Sequence, residues 1–222
     1  MPPPGAVGPA PEHEIHSVTF APRVMLSVFG SGELKCEGDL CISSSGSDYD
    51  HKTTFGIGAD VLFKVGPTIR LGPGIGYFFK YDVEPKEPGA PDSYTIGTDL
   101  DISFVLDAAI MASPTVWIVP RGQIGAKLVF PDGDLRDDLD ADKRACEASN
   151  MSGCDTLDGA RPGAQFGLGV GVMFAVSPSV RLRADVMYQY YTINLYTIEA
   201  LGNKAAVNLN GSRGFLMAGA EL

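Results

Sequence analysis

The sequence lacks the long apolar runs of a helical membrane protein. No stretch of about 18 consecutive apolar residues occurs, and the richest run, residues 102–112, is interrupted by Ser103 and Asp107. Membrane-spanning helices are therefore excluded. The mean hydropathy of +0.07 is compatible with a membrane β-barrel, in which only every second residue of each strand is apolar.

Basic residues are also scarce. The 17 Lys and Arg residues face 27 Asp and Glu, which gives a net charge of −10. Because phosphate contacts need clustered Lys and Arg, and no basic cluster occurs, we expect no nucleic-acid partner. The 27 glycines and 16 prolines favour strands and turns over helical bundles.

The N-terminus lacks the basic segment and apolar core of a secretory signal. The chain is therefore expected either to stay in the cytosol or to have lost its signal peptide. We predict a flexible, Pro-rich N-terminal lead-in over residues 1–16 and one domain over residues 17–222.

From Val18 onward, apolar residues recur with a period of two, which is typical of β-strands with one apolar face. This pattern predicts eight strands, at residues 18–28, 53–65, 69–81, 99–110, 116–130, 164–174, 180–190 and 215–222. Upstream of the last strand, Val207 and Leu209 have the opposite parity. A bulge or an earlier strand end is expected there.

The connections between these strands alternate in length. Three are tight turns with a common pattern, in which Gly or Ser precedes Pro67, Pro114 or Pro178 and a β-branched residue begins the next strand. Four are long, at residues 30–52, 82–94, 131–162 and 193–206. The tight turns are therefore predicted on one rim and the long loops on the other.

The face opposite the apolar one carries charges of both signs interspersed with glycine. This composition suits a narrow lumen, which needs small residues between long, paired ones, better than a solvated exterior. We therefore predict that the apolar face points outward and that a charge network fills the lumen, formed by Arg23, Asp60, Lys64, Arg70, Lys80, Asp99, Asp101, Asp107, Arg121, Lys127, Arg181, Arg183, Asp185 and Arg213.

Aromatic residues lie near the ends of the apolar faces, on the side of the long loops. They predict an interfacial girdle formed by Tyr77, Phe79, Tyr81, Phe130, Tyr188 and Tyr190. The alternative is that aromatic side chains simply favour strands.

In these strands, turns and loops, residues 17–222 resemble the small eight-stranded outer-membrane proteins of the OmpA, OmpX and OmpW type. The resemblance implies an all-β fold, an eight-stranded antiparallel up-and-down transmembrane β-barrel with three tight periplasmic turns and four long external loops. It also implies the bacterial outer membrane as location and outer-membrane lipid as a partner. Such chains commonly end in an aromatic residue, whereas this one ends in Leu222.

Four cysteines lie in the predicted loops, and they allow three pairings. The short spacings favour Cys36 with Cys41 and Cys146 with Cys154, which fits an oxidising compartment. Zinc binding is the alternative, although the spacings lack the usual close pairs.

The third loop is rich in aspartate. Its weak candidates for a divalent-cation site are Asp132, Asp134, Asp138, Asp140 and Asp142. No EF-hand pattern is present, and a solvated acidic loop is the simpler interpretation. No other cofactor is predicted.

Catalysis has little support in the sequence, because only His51, beside Asp50 and near Ser47, suits an active site at the outer rim. We therefore predict a non-enzymatic barrel that is structural or presents disulfide-pinned acidic loops to an envelope or extracellular protein partner. A narrow channel for small or apolar solutes is the alternative, and a soluble ligand-binding barrel is a further one.

Overall fold

The computed structural model describes residues 15–39, 41, 47–149, 154–157, 159–200 and 203–222. Residues 1–14 of the predicted lead-in lie outside the described residues. The elements are β1 (Val18–Glu37), β2 (Ser47–His51), β3 (Thr54–Lys64), β4 (Ile69–Pro85), β5 (Tyr94–Ala108), β6 (Ile110–Ser113), β7 (Val116–Pro131), α1 (Asp134–Ala148), a 3₁₀ helix (Cys154–Leu157), β8 (Arg161–Ala175), β9 (Arg181–Ala200) and β10 (Asn203–Glu221).

The strands close into one antiparallel barrel. Each long strand pairs with the next along the chain, and β1 pairs with β10 to complete a ring of 8 strands. The short strand β2 lies in line with β3 in the wall and pairs with β1 on one side and β4 on the other. The short strand β6 lies in line with β5 and pairs with β7. The predicted eight-stranded up-and-down barrel is therefore confirmed. In the described part of the chain, no helix is long and apolar enough to cross a membrane.

The apolar faces point outward, as predicted. Val170 and Phe166 on β8 are half exposed on the outer wall, whereas Gln165, on the opposite face of the same strand, is buried. The three tight turns also occur where they were predicted. Two of them are closed by backbone hydrogen bonds, from Val65 N to Ile69 O at 3.0 Å and from Val176 N to Val180 O at 3.0 Å.

The long connections differ from the prediction, because the strands continue into them. β1 runs to Glu37, β4 runs to Pro85, and β9 and β10 pair up to Ala200 and Asn203. The third connection contains the helix α1. The girdle residues Phe79, Phe130, Tyr188 and Tyr190 are exposed on the outer wall. The barrel therefore projects well beyond this aromatic girdle, and we call this projecting part the external section.

The expected bulge or early end in the last strand was wrong. β10 is continuous, and Val207 and Leu209 are buried on the same face as Phe215 and Met217. The irregularities lie in its partners, between Ser27 and Phe29 of β1 and beside Asn194 of β9. The apolar residues of β10 lie on the inner face here because the interior of the external section is apolar.

A bulge in β4 corrects two further predictions. The β4–β5 register shifts between Phe78 and Tyr81, where Gly97 of β5 has a φ of 133°. One extra residue reverses the two faces of a strand. Tyr81, predicted in the outer girdle, is consequently buried inside, and Lys80, predicted in the lumen, is 66% exposed and pairs with Asp82.

Candidate functional site

The interior of the barrel is arranged in layers along its axis. From the turn rim upward these are a small apolar layer at Trp117, a lower ionic tier, a second apolar layer at Phe78, an upper ionic tier, an aromatic layer and an apolar external core. Side chains separated by two residues on one strand lie on the same face in neighbouring layers. Successive inward-facing residues of each strand therefore belong to successive layers.

In the lower ionic tier, two arginines share three carboxylates. Arg70 donates to Asp107 at 2.8 Å through Nε and to Glu221 at 2.5 Å through Nη1. Arg183 donates to Asp107 at 2.7 Å, to Glu221 at 3.1 Å and to Asp185 at 2.7 Å. These bidentate contacts cross the lumen between β4, β5, β9 and β10, so they tie opposite walls together.

A second group in the same tier has two arginines on one carboxylate. Arg121 Nη1 donates to Asp60 Oδ2 at 2.7 Å, and Arg23 contacts the same oxygen. All three side chains are at least nine-tenths buried.

The upper ionic tier is balanced. Arg213 donates to Asp99 at 2.8 Å and to Asp101 at 2.9 Å, and Lys127 Nζ lies 3.0 Å from Asp99 and 2.9 Å from Asp101. Gln189 bridges the tier by donating to Asp101 at 3.0 Å and accepting from Arg213 at 2.7 Å. Glycines on the inner face make room for the lower tier as well, since a Cβ at Gly74 would meet the Asp60 carboxylate.

Twelve of the fourteen predicted lumen residues lie inside the barrel, and Lys80 and Lys64 are the exceptions. Lys64 is half-buried at the rim of the tight turns, opposite Arg70 in the β3–β4 register. Because β3 ends there, its side chain can reach solvent.

An aromatic layer closes the upper ionic tier from above. The His51 ring stacks on the Tyr81 ring, with 4.9 Å between centroids and 7° between planes. His51 Nε2 lies 2.6 Å from the Tyr191 hydroxyl, which in turn lies 3.1 Å from the Tyr49 hydroxyl. Burial, together with the nearby Arg213 and Lys127 charges, lowers the pKa of His51 to about 3.

Above this layer lies the external core, which the sequence interpretation missed because many of its residues, including Tyr49, Val83 and Leu195, fell in the predicted loops. Buried side chains from the barrel wall meet Leu135 and Leu139 of α1, and the main members are Tyr49, Val83, Ile96, Val129, Leu195, Val207 and Leu209. The alternation of Leu195, Ile193 and Tyr191 on β9 was the available signal. It pointed to a strand, but the orientation of that strand depends on the neighbours.

The external core contains a pocket of about 360 Å³. Its walls are Leu34, Tyr49, Val83, Pro85, Ala90, Pro91, Tyr94, Ile96, Leu135, Leu195 and Leu209, and Ser47, Asp48, Glu87 and Asp138 complete the lining. Asp48, Glu87 and Asp138 are exposed, so they form an acidic mouth over an apolar interior. Burial and the neighbouring Asp138, which accepts from Tyr94 at 2.6 Å, raise the pKa of Tyr94.

The cysteines form two disulfides, Cys36 with Cys41 and Cys146 with Cys154. The first joins the end of β1 to the following connection, and the second joins α1 to the 3₁₀ helix. Cys36 therefore lies in a strand and Cys146 in a helix, whereas both were expected in loops. The second bridge lies in the external core, where both of its cysteines are buried.

The aspartates proposed for a cation site do not converge. Asp134 accepts from Thr95 N at 2.7 Å, and Asp138 accepts from the Tyr94 hydroxyl. Asp132 lies before α1, and Asp140 and Asp142 lie on the exposed side of that helix. Across the described ranges, no group of three metal-binding His, Cys, Asp or Glu side chains is found.

The possible catalytic residues are likewise separated. Ser47 Oγ donates to Glu87 at 2.5 Å, Asp50 pairs with Lys86 at 2.7 Å, and His51 turns inward to the tyrosines. The structure therefore does not bring these three residues together as a nucleophile, base and acid.

Comparison with known proteins gives a likeness in fold. No family model and no curated protein sequence matches the chain. Outer membrane protein OprG from Pseudomonas aeruginosa aligns with 94% of this chain and 97% of its own, with a TM-score of 0.53 and 13% identity. Outer membrane protein AlkL aligns with 98% of this chain and 95% of its own, with a TM-score of 0.46 and 16% identity.

The chain thus has the fold of the small outer-membrane β-barrels. Its outer wall is apolar in the band between the tight turns and the girdle, as a lipid-facing surface must be. The structure accordingly describes a β-barrel of this fold with an ionic lumen and an apolar external pocket.

Proposed function

We propose that this outer-membrane barrel binds small, neutral, apolar solutes from outside the cell in its external pocket and has no catalytic activity. The observation that carries the proposal is the apolar pocket of about 360 Å³ above the aromatic layer. Ligand pockets of about 300 to 1,000 Å³ with mostly apolar walls are typical of small-molecule sites.

The ionic tiers support binding rather than free diffusion of ions. Arg70, Arg213 and Lys127 are fully buried in the lumen, and each is held by carboxylates from other strands. Moving a hydrated ion past them would require breaking paired, desolvated charges. In planar bilayers, we therefore expect no discrete conductance steps, and regular steps would contradict the closed lumen.

The mouth of the pocket supports a preference among solutes. Asp48, Glu87 and Asp138 surround an apolar cavity, so a carboxylate entering it would lose hydration and meet like charges. An uncharged solute loses little and gains by removing apolar surface from water. We expect toluene to bind and benzoate to bind much more weakly.

The test is a titration of the ¹³C-methyl-labelled protein in lipid nanodiscs with toluene and with benzoate. Saturable shifts are expected for the methyl groups of Leu34, Leu135, Leu195 and Leu209. Non-saturating shifts of equal size on the outer wall would mean partition into lipid, and would contradict the proposal.

A matched pair of variants sharpens the titration. Ala90→Trp places an indole in the pocket wall and should abolish saturation. Ala148→Trp makes the same change on the exposed end of α1, outside the pocket, and should leave binding intact. Equal binding by both variants would locate the site elsewhere.

Presentation of the external surface to a protein partner is a second candidate. Asp137, Asp140 and Asp142 are exposed on α1, and the Cys146–Cys154 bridge fixes the end of that helix. Because fixing a surface before binding lowers the entropy cost of association, this acidic face is suited to a basic partner. Salt-sensitive binding of a basic partner that is lost on reduction would favour this role.

A further inference from the structure

The mouth of the external pocket carries charge of one sign. Its charged lining residues are Asp48, Glu87 and Asp138, all exposed, and no described Lys, Arg or His lines the pocket. Lys86 lies near Asp48 but is already paired with Asp50 at 2.7 Å. Three carboxylates at the opening are therefore left without a cationic partner among the described residues.

These carboxylates border the opening rather than converging on one point. Glu87 accepts from Ser47 Oγ at 2.5 Å, and Asp138 accepts from the Tyr94 hydroxyl at 2.6 Å, so the pocket wall holds both of them. In the described ranges, no group of three or more Asp, Glu, His or Cys side chains is placed to hold a metal ion. A divalent metal ion, which needs several oxygen ligands at once, therefore has no site at this mouth.

An aromatic ring accompanies one of the carboxylates. Tyr94 is half-buried in the pocket wall and donates to Asp138, so its ring and that carboxylate are neighbours at the opening. An organic ammonium group is attracted both to carboxylates and to the faces of aromatic rings. The mouth is therefore complementary to such a group.

The interior below the mouth is suited to an apolar body. Val83, Ile96, Leu195 and Leu209 are buried in its walls. A cavity of about 150 Å³ holds benzene, so the pocket volume of about 360 Å³ accepts one aromatic ring with a short substituent. With the ring against the apolar walls, the substituent would extend toward the carboxylates.

We propose that the external pocket also binds amphiphilic organic cations, with the apolar body inside and the ammonium group at the acidic mouth. This inference rests on the proposed function, since it uses the same pocket, and it adds the charge of the preferred solute. A neutral solute gains from the apolar walls alone. A cation with the same body gains in addition from the carboxylates, and its ammonium group stays partly hydrated because these are exposed.

The test is a titration with benzylammonium, benzyl alcohol and benzoate, which are a cation, a neutral molecule and an anion of nearly equal size. The labelled protein is held in nanodiscs of zwitterionic lipid at low salt, and the methyl groups of Leu195 and Leu209 report binding. We expect benzylammonium to bind more tightly than benzyl alcohol, by on the order of tenfold, because several surface ion pairs act together. Benzoate should bind most weakly.

The outcomes separate this inference from the proposed function. Saturable binding of benzyl alcohol and benzylammonium with the same Kd would overturn the preference for a cation, while the apolar site would stand. No saturable binding by any of the three molecules would contradict both.

Salt gives a second readout on the unmodified protein. At about 1 M NaCl the screening length falls to about 3 Å, so the affinity ratio of benzylammonium to benzyl alcohol should approach one. The Kd of benzyl alcohol should change far less. A ratio that is independent of salt would show that the carboxylates do not hold the cation, and would overturn the proposal.

Glu87→Gln and Glu147→Gln are matched variants for the titration. Both remove one exposed negative charge, but Glu147 lies near the end of α1, outside the pocket lining. Glu87→Gln should lower the affinity ratio by about two- to fivefold, and Glu147→Gln should retain it. Adding Asp48→Asn and Asp138→Asn to the first variant should bring the ratio close to one. An equal ratio in both single variants would overturn the assignment of the ammonium group to this mouth.

Discussion

Polar and apolar residues alternate along the strands in both the membrane-spanning section and the external section of this barrel, but the apolar residues face outward in the first and inward in the second. In the first, Val170 and Leu216 face lipid while Arg213 and Asp101 face inward. In the second, Leu209 faces inward while Asn194 is exposed outside. One strand, β10, passes through both sections without a break in its parity.

The difference shows that the surroundings decide which face is polar. Lipid on the outside requires an apolar outer wall, and the lumen then receives the charges, which must pair because they are desolvated. Above the girdle the outside is water, so the apolar residues turn inward and form a core. The aromatic layer of His51 and the tyrosines lies where the two arrangements meet.

Truncation of leucines on the two faces of β10 should give the largest difference. Leu209→Ala removes a side chain that is 3% exposed in the external core, and should cost about 2 to 5 kcal/mol. Leu216→Ala removes one that is 45% exposed to lipid, so less packing is lost. Urea unfolding in vesicles measures both, and equal costs would contradict the inversion of the faces.

Charge insertion on the outer wall should come next in size. Val170→Arg places a cation in the lipid-facing band and should cost about 2 to 4 kcal/mol near the bilayer midplane. Asn194→Arg makes an outward cation above the girdle, where water is available, and should cost close to zero. A similar loss of folding free energy for both variants would mean that the water boundary lies elsewhere.

Acid should weaken the aromatic layer, and the loss of stability per pH unit should be smaller than the costs of Leu209→Ala and Val170→Arg. The pKa of His51 is lowered from 6.5 to about 3, so between these values the unfolded chain binds a proton that the folded chain does not. Stability contributed at this site should therefore fall with decreasing pH, by up to about 1.4 kcal/mol per unit.

His51→Phe serves as the reference for this pH series. The carboxylates of the protein titrate in both proteins, so the difference between their unfolding midpoints isolates the imidazole. The two curves are expected to diverge below about pH 6.5. Parallel curves from there to about pH 4 would show that His51 is protonated inside the fold.

Much of the barrel could be predicted from the sequence, since a period of two and short Pro-containing turns are local signals. The pairing of Cys146 with Cys154 is also local, because the two residues are close in the chain. The exchanged positions of Lys80 and Tyr81 could not be predicted in this way. They depend on a bulge opposite Gly97, and a bulge is set by the neighbouring strand.

The sequence by itself determined the strands, their amphipathic faces, the closely spaced cysteines and the supply of lumen charges. The tertiary structure alone decided which arginine meets which carboxylate, since Arg70 and Glu221 are 151 residues apart. It also decided that Val207 and Leu209 face inward, and that α1 packs against the external core. Alternation records that the two faces of a strand differ, but only ring closure and the surrounding solvent assign each face to the inside or the outside.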